Sequence, residues 1–151
     1  MKLTSPAFLN NGDIPAKYAC DGDNVGPELE IMDVPTAALS LALITIDPDV
    51  PQGECVHWVI WNIRPETKEI QQGQMPEGSV QGINDFQKNA YRGPCHATGT
   101  HAYLFKLYAL DIVLPPNKNL SKKEIRYLME GHILEKTILK GFYQPRHSES
   151  Y

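Results

Sequence analysis

Apolar residues gather in a few short runs separated by polar stretches rich in turn formers. Leu39 to Ile46, LSLALITI, is dense in branched residues and stops at Asp47-Pro48. It predicts a core strand, because two turns of helix would be too short to stand alone. His57 to Ile63, HWVIWNI, predicts a second core strand that ends before Arg64-Pro65. Trp58 and Trp61, three positions apart, then face opposite sides of it. His101 to Leu110 places Tyr103, Phe105, Leu107 and Ala109 on one face and Leu104, Lys106, Tyr108 and Leu110 on the other, again a strand. Residues 1–36 carry closely spaced turn signals, among them Asn11-Gly12-Asp13 and Asp21-Gly22-Asp23-Asn24, and read as loops and edge strands.

After Pro115-Pro116 the period changes. Ser121 and Glu124 make a capping box, and Ile125, Leu128, Met129, His132, Ile133 and Lys136 follow helical spacing. This predicts a helix over residues 122–139, with Gly131 inside it as a kink or a close packing contact. The tail from Arg146 to Tyr151 reads as frayed.

Composition narrows the class. A chain of 151 residues suits one domain, 1–151, large enough for its own core. The 12 Pro and 11 Gly break it often, which favours many short strands over long helices. With 14 basic and 18 acidic residues the net charge is −4, and no basic cluster offers a phosphate-neutralising face, so generic nucleic-acid binding is disfavoured. No apolar run reaches spanning length and no leader follows Lys2, so a soluble, cytoplasmic protein is expected. Cys20, Cys55 and Cys95 are odd in number and lack metal-site spacing. They read as free thiols in a reducing compartment, although one pair can still meet in space.

Two clusters carry candidate chemistry. Asp47-Pro48-Asp49-Val50-Pro51 leads to His57, and Gly93-Pro94-Cys95-His96 leads to His101 and Tyr103. In each, a Pro-stiffened loop abuts an apolar strand with a His at its first position. If those strands are neighbours, the two imidazoles converge at one rim, where they and loop N–H groups around Gly93 can surround a phosphate or another small oxyanion. Asp47 then has two possible uses: to accept a hydrogen bond from an imidazole and fix its tautomer, or to face the ammonium of a zwitterionic ligand. Cys55 and Cys95 lie near these histidines in sequence, so an imidazole-activated thiolate is conceivable, buried inert thiols being the plainer reading. Phe86 and Tyr91 either wall a ligand site or pack their loop down.

The stretches DPDVPQGECVHWVIWNI (47–63) and GINDFQKNAYRGPCHATGTHAYLFKLYALD (82–111) resemble the two signature regions of the phosphatidylethanolamine-binding protein family. The opening YACDGDN and the late EGHILEKTILKGFY are similar to its bacterial and archaeal, Raf kinase inhibitor-like branch. The resemblance implies a mainly β fold, an antiparallel two-sheet sandwich with Greek-key connections and a helix near the C-terminus. It implies a ligand pocket made by Asp47, Asp49, His57, Gly93, Pro94, His101 and Tyr103. Cys95 and His96 are possible additions. Phosphate-like ions, phosphorylethanolamine heads or phosphopeptides are the implied ligands, with modulation of a partner protein, no catalytic reaction, no cofactor and no metal. Where the family usually reads DFGxxGYxGPCPPxGxH, Gln87 and Ala90 replace glycines, and His96 and Ala97 replace the proline pair.

The competing reading is a metal-assisted or general acid-base hydrolase using His57, His96, His101 and Asp47, in which imidazoles hold a metal with an open position. A homodimer joined through exposed Phe142 and Tyr143 is a further expectation.

Overall fold

In the computed structural model, which describes residues 1–95 and 99–145, the chain forms two β-sheets and one α-helix. The strands are β1 Lys2–Thr4, β2 Gly12–Asp13, β3 Leu29–Met32, β4 Ser40–Asp47, β5 Cys55–Ile63, β6 Glu69–Ile70, β7 Val80–Gln81, β8 His101–Leu110 and β9 Ile133–Tyr143. The helix α1 spans Lys122–Met129. The small sheet has the order β1-β3-β6 and the large one β2-β9-β8-β4-β5-β7. Neighbours are antiparallel except β2 and β9, which run parallel where Gly12 and Asp13 meet Gly141 and Phe142.

The predicted core strands are present, and β8 has the predicted bounds. Tyr103, Phe105, Leu107 and Ala109 do share one face, packed between the sheets with Leu41, Leu43, Trp58 and Ile60 from the large sheet and Leu29 and Ile31 from the small one. On the opposite face of the large sheet, Ala42, Ile44, Val59, Trp61 and Tyr108 lie beneath Leu114 and the helix residues Ile125 and Met129. Trp58 and Trp61 therefore sit in different cores. β4 is buried along its whole length because both of its faces are covered, which is why it reads as a continuous apolar run.

The predicted helix over 122–139 is half a helix and half a strand. The capping box at Ser121 and Glu124 starts α1 as expected, but the helix ends at Met129. Gly131 lies beyond it with φ at +82°, a conformation that favours glycine and turns the chain. From Ile133 the chain runs back along β8 as its antiparallel partner. Ile133 and Lys136 fit a helical period by coincidence.

Phe142 and Tyr143 do not form the exposed dimer patch expected of them. Tyr143 is 6% exposed and its hydroxyl donates to Asp21 Oδ1 at 2.8 Å, while Phe142 is half-buried. The reading of three free thiols is also corrected: Cys20 and Cys95 form a disulfide, their Cα atoms 5.2 Å apart, and Cys55 keeps a buried thiol. Among the described residues no helix is long and apolar enough to cross a membrane.

Candidate functional site

Strand order decides whether the two histidines meet. β4 lies between β5 and β8, and the antiparallel pairing brings the end of β4 and the starts of β5 and β8 to one rim. His57 is third in its strand rather than first. The pairing Thr45 with Trp58 and Ile46 with Val56 leaves His57 as the extra residue of a β-bulge. Such a bulge frees a side chain from the alternation of the sheet and re-aims it.

Asp47 closes β4 and Pro48 cannot extend the ladder. Asp47 is 0% exposed, and its Oδ1 accepts the Asp49 N–H at 2.8 Å, a tight Asx turn. Its Oδ2 accepts His101 Nδ1 at 2.8 Å, and the Tyr103 hydroxyl donates to the same carboxylate. Burial first, then the Asp47 charge and this hydrogen bond, hold the Tyr103 phenol far above its ordinary range, so it remains a neutral donor. Asp49 is exposed and reaches across to the start of β8, where its Oδ2 accepts the Ala102 N–H at 2.9 Å. Of the two uses expected of Asp47, it therefore takes the first: it fixes an imidazole, and the exposed carboxylate at this rim is Asp49.

His57 is 1% exposed. Its Nδ1–H donates to the Arg92 carbonyl at 2.7 Å, and its ring stands edge-to-face against Tyr103 at 5.2 Å and against Phe86 at 5.3 Å. Because Nδ1 is committed to a carbonyl, Nε2 accepts in the neutral ring and donates in the charged one. The same holds at His101, whose Nδ1–H is committed to Asp47. The structure thus brings Asp47, Asp49, His57, His101 and Tyr103 together.

Gly93 does not offer the N–H donor expected of it. The Gly93 N–H is taken by Asn24 Oδ1 at 2.8 Å, and a Cβ at this position would fall 1.9 Å from the Tyr18 carbonyl oxygen. Only glycine allows so close an approach. The Pro94 carbonyl accepts the Cys20 N–H at 2.9 Å. Cys95 is bonded to Cys20 and offers no thiolate to a ligand. His96, like Ala97, lies outside the described residues. The Cys55 thiol is pushed up to about 11, by burial first and then by the charges of Asp85 and Asp47, so it is no activated thiolate.

Several supporting residues carried no signal in the motif text. Asn84, 2% exposed, donates to the Ala90 carbonyl at 2.9 Å and accepts the N–H groups of Phe86 and Lys88. The Arg92 guanidinium lies over the Phe86 ring at 4.3 Å, which puts a permanent cation beside the aromatic wall of His57. Tyr91 packs on Trp58 instead and borders a separate cavity of about 250 Å³ with Asn24 and Gln81. Asp47, Asp49 and His101 each offer a ligand atom within 4.8 Å of the others, a set among the described residues that could hold a metal ion.

The family model described as phosphatidylethanolamine-binding protein matches residues 4–144. A UPF0098 protein of Methanothermobacter thermautotrophicus is 46% identical over 149 residues, covering 95% of this chain and 99% of the relative. One from Chlamydia pneumoniae is 42% identical with the same coverage. Among solved structures, a putative phosphatidylethanolamine-binding protein homologue of Chlamydia trachomatis superposes with a TM-score of 0.91 at 38% identity, covering 95% of this chain and 96% of that one. YbcL of Escherichia coli superposes with a TM-score of 0.88 at 25% identity, covering 96% and 98%.

Proposed function

Because this chain belongs to the phosphatidylethanolamine-binding protein family, we propose that it binds a small phosphate-bearing ligand, a phosphorylethanolamine-like head group or a phosphopeptide, at the His57, His101 and Tyr103 rim, and that the bound state modulates a partner protein. One observation carries the reading: the buried Asp47 carboxylate accepts from His101, Tyr103 and the Asp49 backbone at once. Its charge is absorbed by its own donors, so the imidazoles rather than a bare carboxylate meet the anion. Exposed Asp49 stands ready for the ammonium of a zwitterionic head group. Gly93 and Pro94 shape the wall.

Calorimetric titration of metal-free protein with inorganic phosphate and with O-phosphorylethanolamine tests the reading. Wild type binds, His57→Ala and His101→Ala lose at least about ten-fold, roughly 1.4 kcal/mol, and Asp49→Asn narrows the preference for the zwitterion. Unchanged affinity in both histidine variants, with circular dichroism showing them folded, overturns it.

A second reading rests on the Asp47, Asp49 and His101 cluster, which is suited to a divalent cation that would acidify a bound water for hydrolysis. Stoichiometric metal in protein purified without supplementation, lost in Asp49→Ala, would favour it over anion binding.

A further inference from the structure

We propose that the Cys20–Cys95 disulfide is a thiol-exchange site on the wall of the pocket, opened by a thiol of the glutathione or dithiol class with Cys95 as the leaving group. Cys95 is exposed and Cys20 half-exposed, so a small thiolate reaches the bond from solvent. The Arg92 guanidinium donates to Cys95 Sγ at 3.5 Å. A cation at that sulfur stabilises the thiolate it becomes, and the sulfur that carries charge best departs first. The incoming thiolate attacks Cys20 Sγ, a new S–S bond forms there, and the old bond breaks with its electron pair on Cys95 Sγ. A second thiolate attacks the donor-derived sulfur of that mixed disulfide and releases Cys20. Two thiols are oxidised to one disulfide, and their two protons end on Cys20 and Cys95.

The bond sits where it matters to the pocket. The segment Tyr18 to Asn24 is clasped to the segment Tyr91 to Cys95 by the Cys20 N–H on the Pro94 carbonyl, the Gly93 N–H on Asn24 Oδ1 and the Tyr91 hydroxyl on the Tyr18 carbonyl. The second segment includes Arg92, whose carbonyl orients His57. With the covalent link cut, the clasp between these two segments rests on those hydrogen bonds, and each contributes only modestly. Local opening becomes more frequent, and His57 loses its fixed orientation.

The coupling to ligand rests on the phosphate-binding reading, so the experiment carries readouts with and without ligand. Oxidised full-length protein is treated with glutathione under native conditions, trapped by acid and mapped by mass spectrometry. The mixed disulfide is expected on Cys20, and dithiothreitol should open the bond at least ten-fold faster in wild type than in Arg92→Gln. Amide exchange at Cys20 and Gly93 should speed up at least ten-fold on reduction, and phosphate affinity should fall at least five-fold. The Cys20→Ser/Cys95→Ser variant should reproduce the reduced state. A mixed disulfide on Cys95, equal opening rates, or unchanged amide exchange overturns the proposal. If oxidised wild type binds no phosphate, the functional reading fails, and the trapping and exchange results decide the thiol-exchange site on their own.

Discussion

His57 and Arg92 hold each other twice. The His57 ring donates to the Arg92 carbonyl at 2.7 Å, and the Arg92 N–H donates to the His57 carbonyl at 3.0 Å. One of the pocket's imidazoles is thus oriented by backbone, at a bulge where its own strand has left the β4 ladder. The geometry depends on the loop that carries Arg92, and that loop is organised around Asn84.

Asn84→Ala should therefore act at a distance. It strands the N–H groups of Phe86 and Lys88, and losses of this kind typically reduce stability by about 2–4 kcal/mol. Urea denaturation measures this, and phosphate affinity should drop while His57 and His101 remain in place. A full loss of stability with unchanged affinity would detach His57 orientation from the loop.

Asp47→Asn keeps the shape but replaces an acceptor oxygen with a donor. One of the groups now hydrogen-bonded to Asp47 would face an N–H, and the buried cluster should lose about 2–4 kcal/mol. The same change at exposed Asp49 should have a smaller effect on the denaturation midpoint.

Cys55 should resist alkylation at mildly alkaline pH until the protein unfolds. Its thiol is held from an ordinary 9.0 up to about 11 by burial and by the nearby carboxylates. Since the folded value is the higher one, the stability linked to this group is complete below 9.0 and is lost as pH rises through about 11. The urea midpoint of wild type should fall in that window more steeply than that of Cys55→Ala.

Gln87 stands where the family usually has glycine, and its φ is +62°. A side chain there is strained, so Gln87→Gly should stabilise by about 0.5–1 kcal/mol, seen as a rise of about 1–4 °C in Tm. The motif text marked this position as a departure, and the backbone supplies its physical meaning.

Strand faces were legible because alternation is a local property: the two faces of β8 follow from residues 101–110 alone. The end of α1 was harder to see. Ile133 and Lys136 extend the period of Ile125 and Met129 by chance, and the stop depends on the backbone of Gly131. Motif spacing put a histidine near the start of each strand, but their meeting at one rim depends on β4 lying between β5 and β8, and the place of His57 as third residue of β5, at a bulge, arises from β4 pairing. The Cys20–Cys95 bond and the capture of the Gly93 N–H by Asn24 join segments far apart in the chain, which no local pattern encodes.

The disulfide also divides the molecule mechanically. It closes a covalent ring across a sequence separation of 75, enclosing β3 through β7 and leaving β1, β2, β8 and β9 outside. Pulled by its ends, the oxidised chain transmits tension through the sulfur bridge and bypasses the ring. β8 and β9 can be stripped away while the ring is shielded from load. Reduction returns the enclosed segment to the load path and lengthens the fully stretched chain by about 25 nm. For a tethered single molecule, redox state is therefore a length.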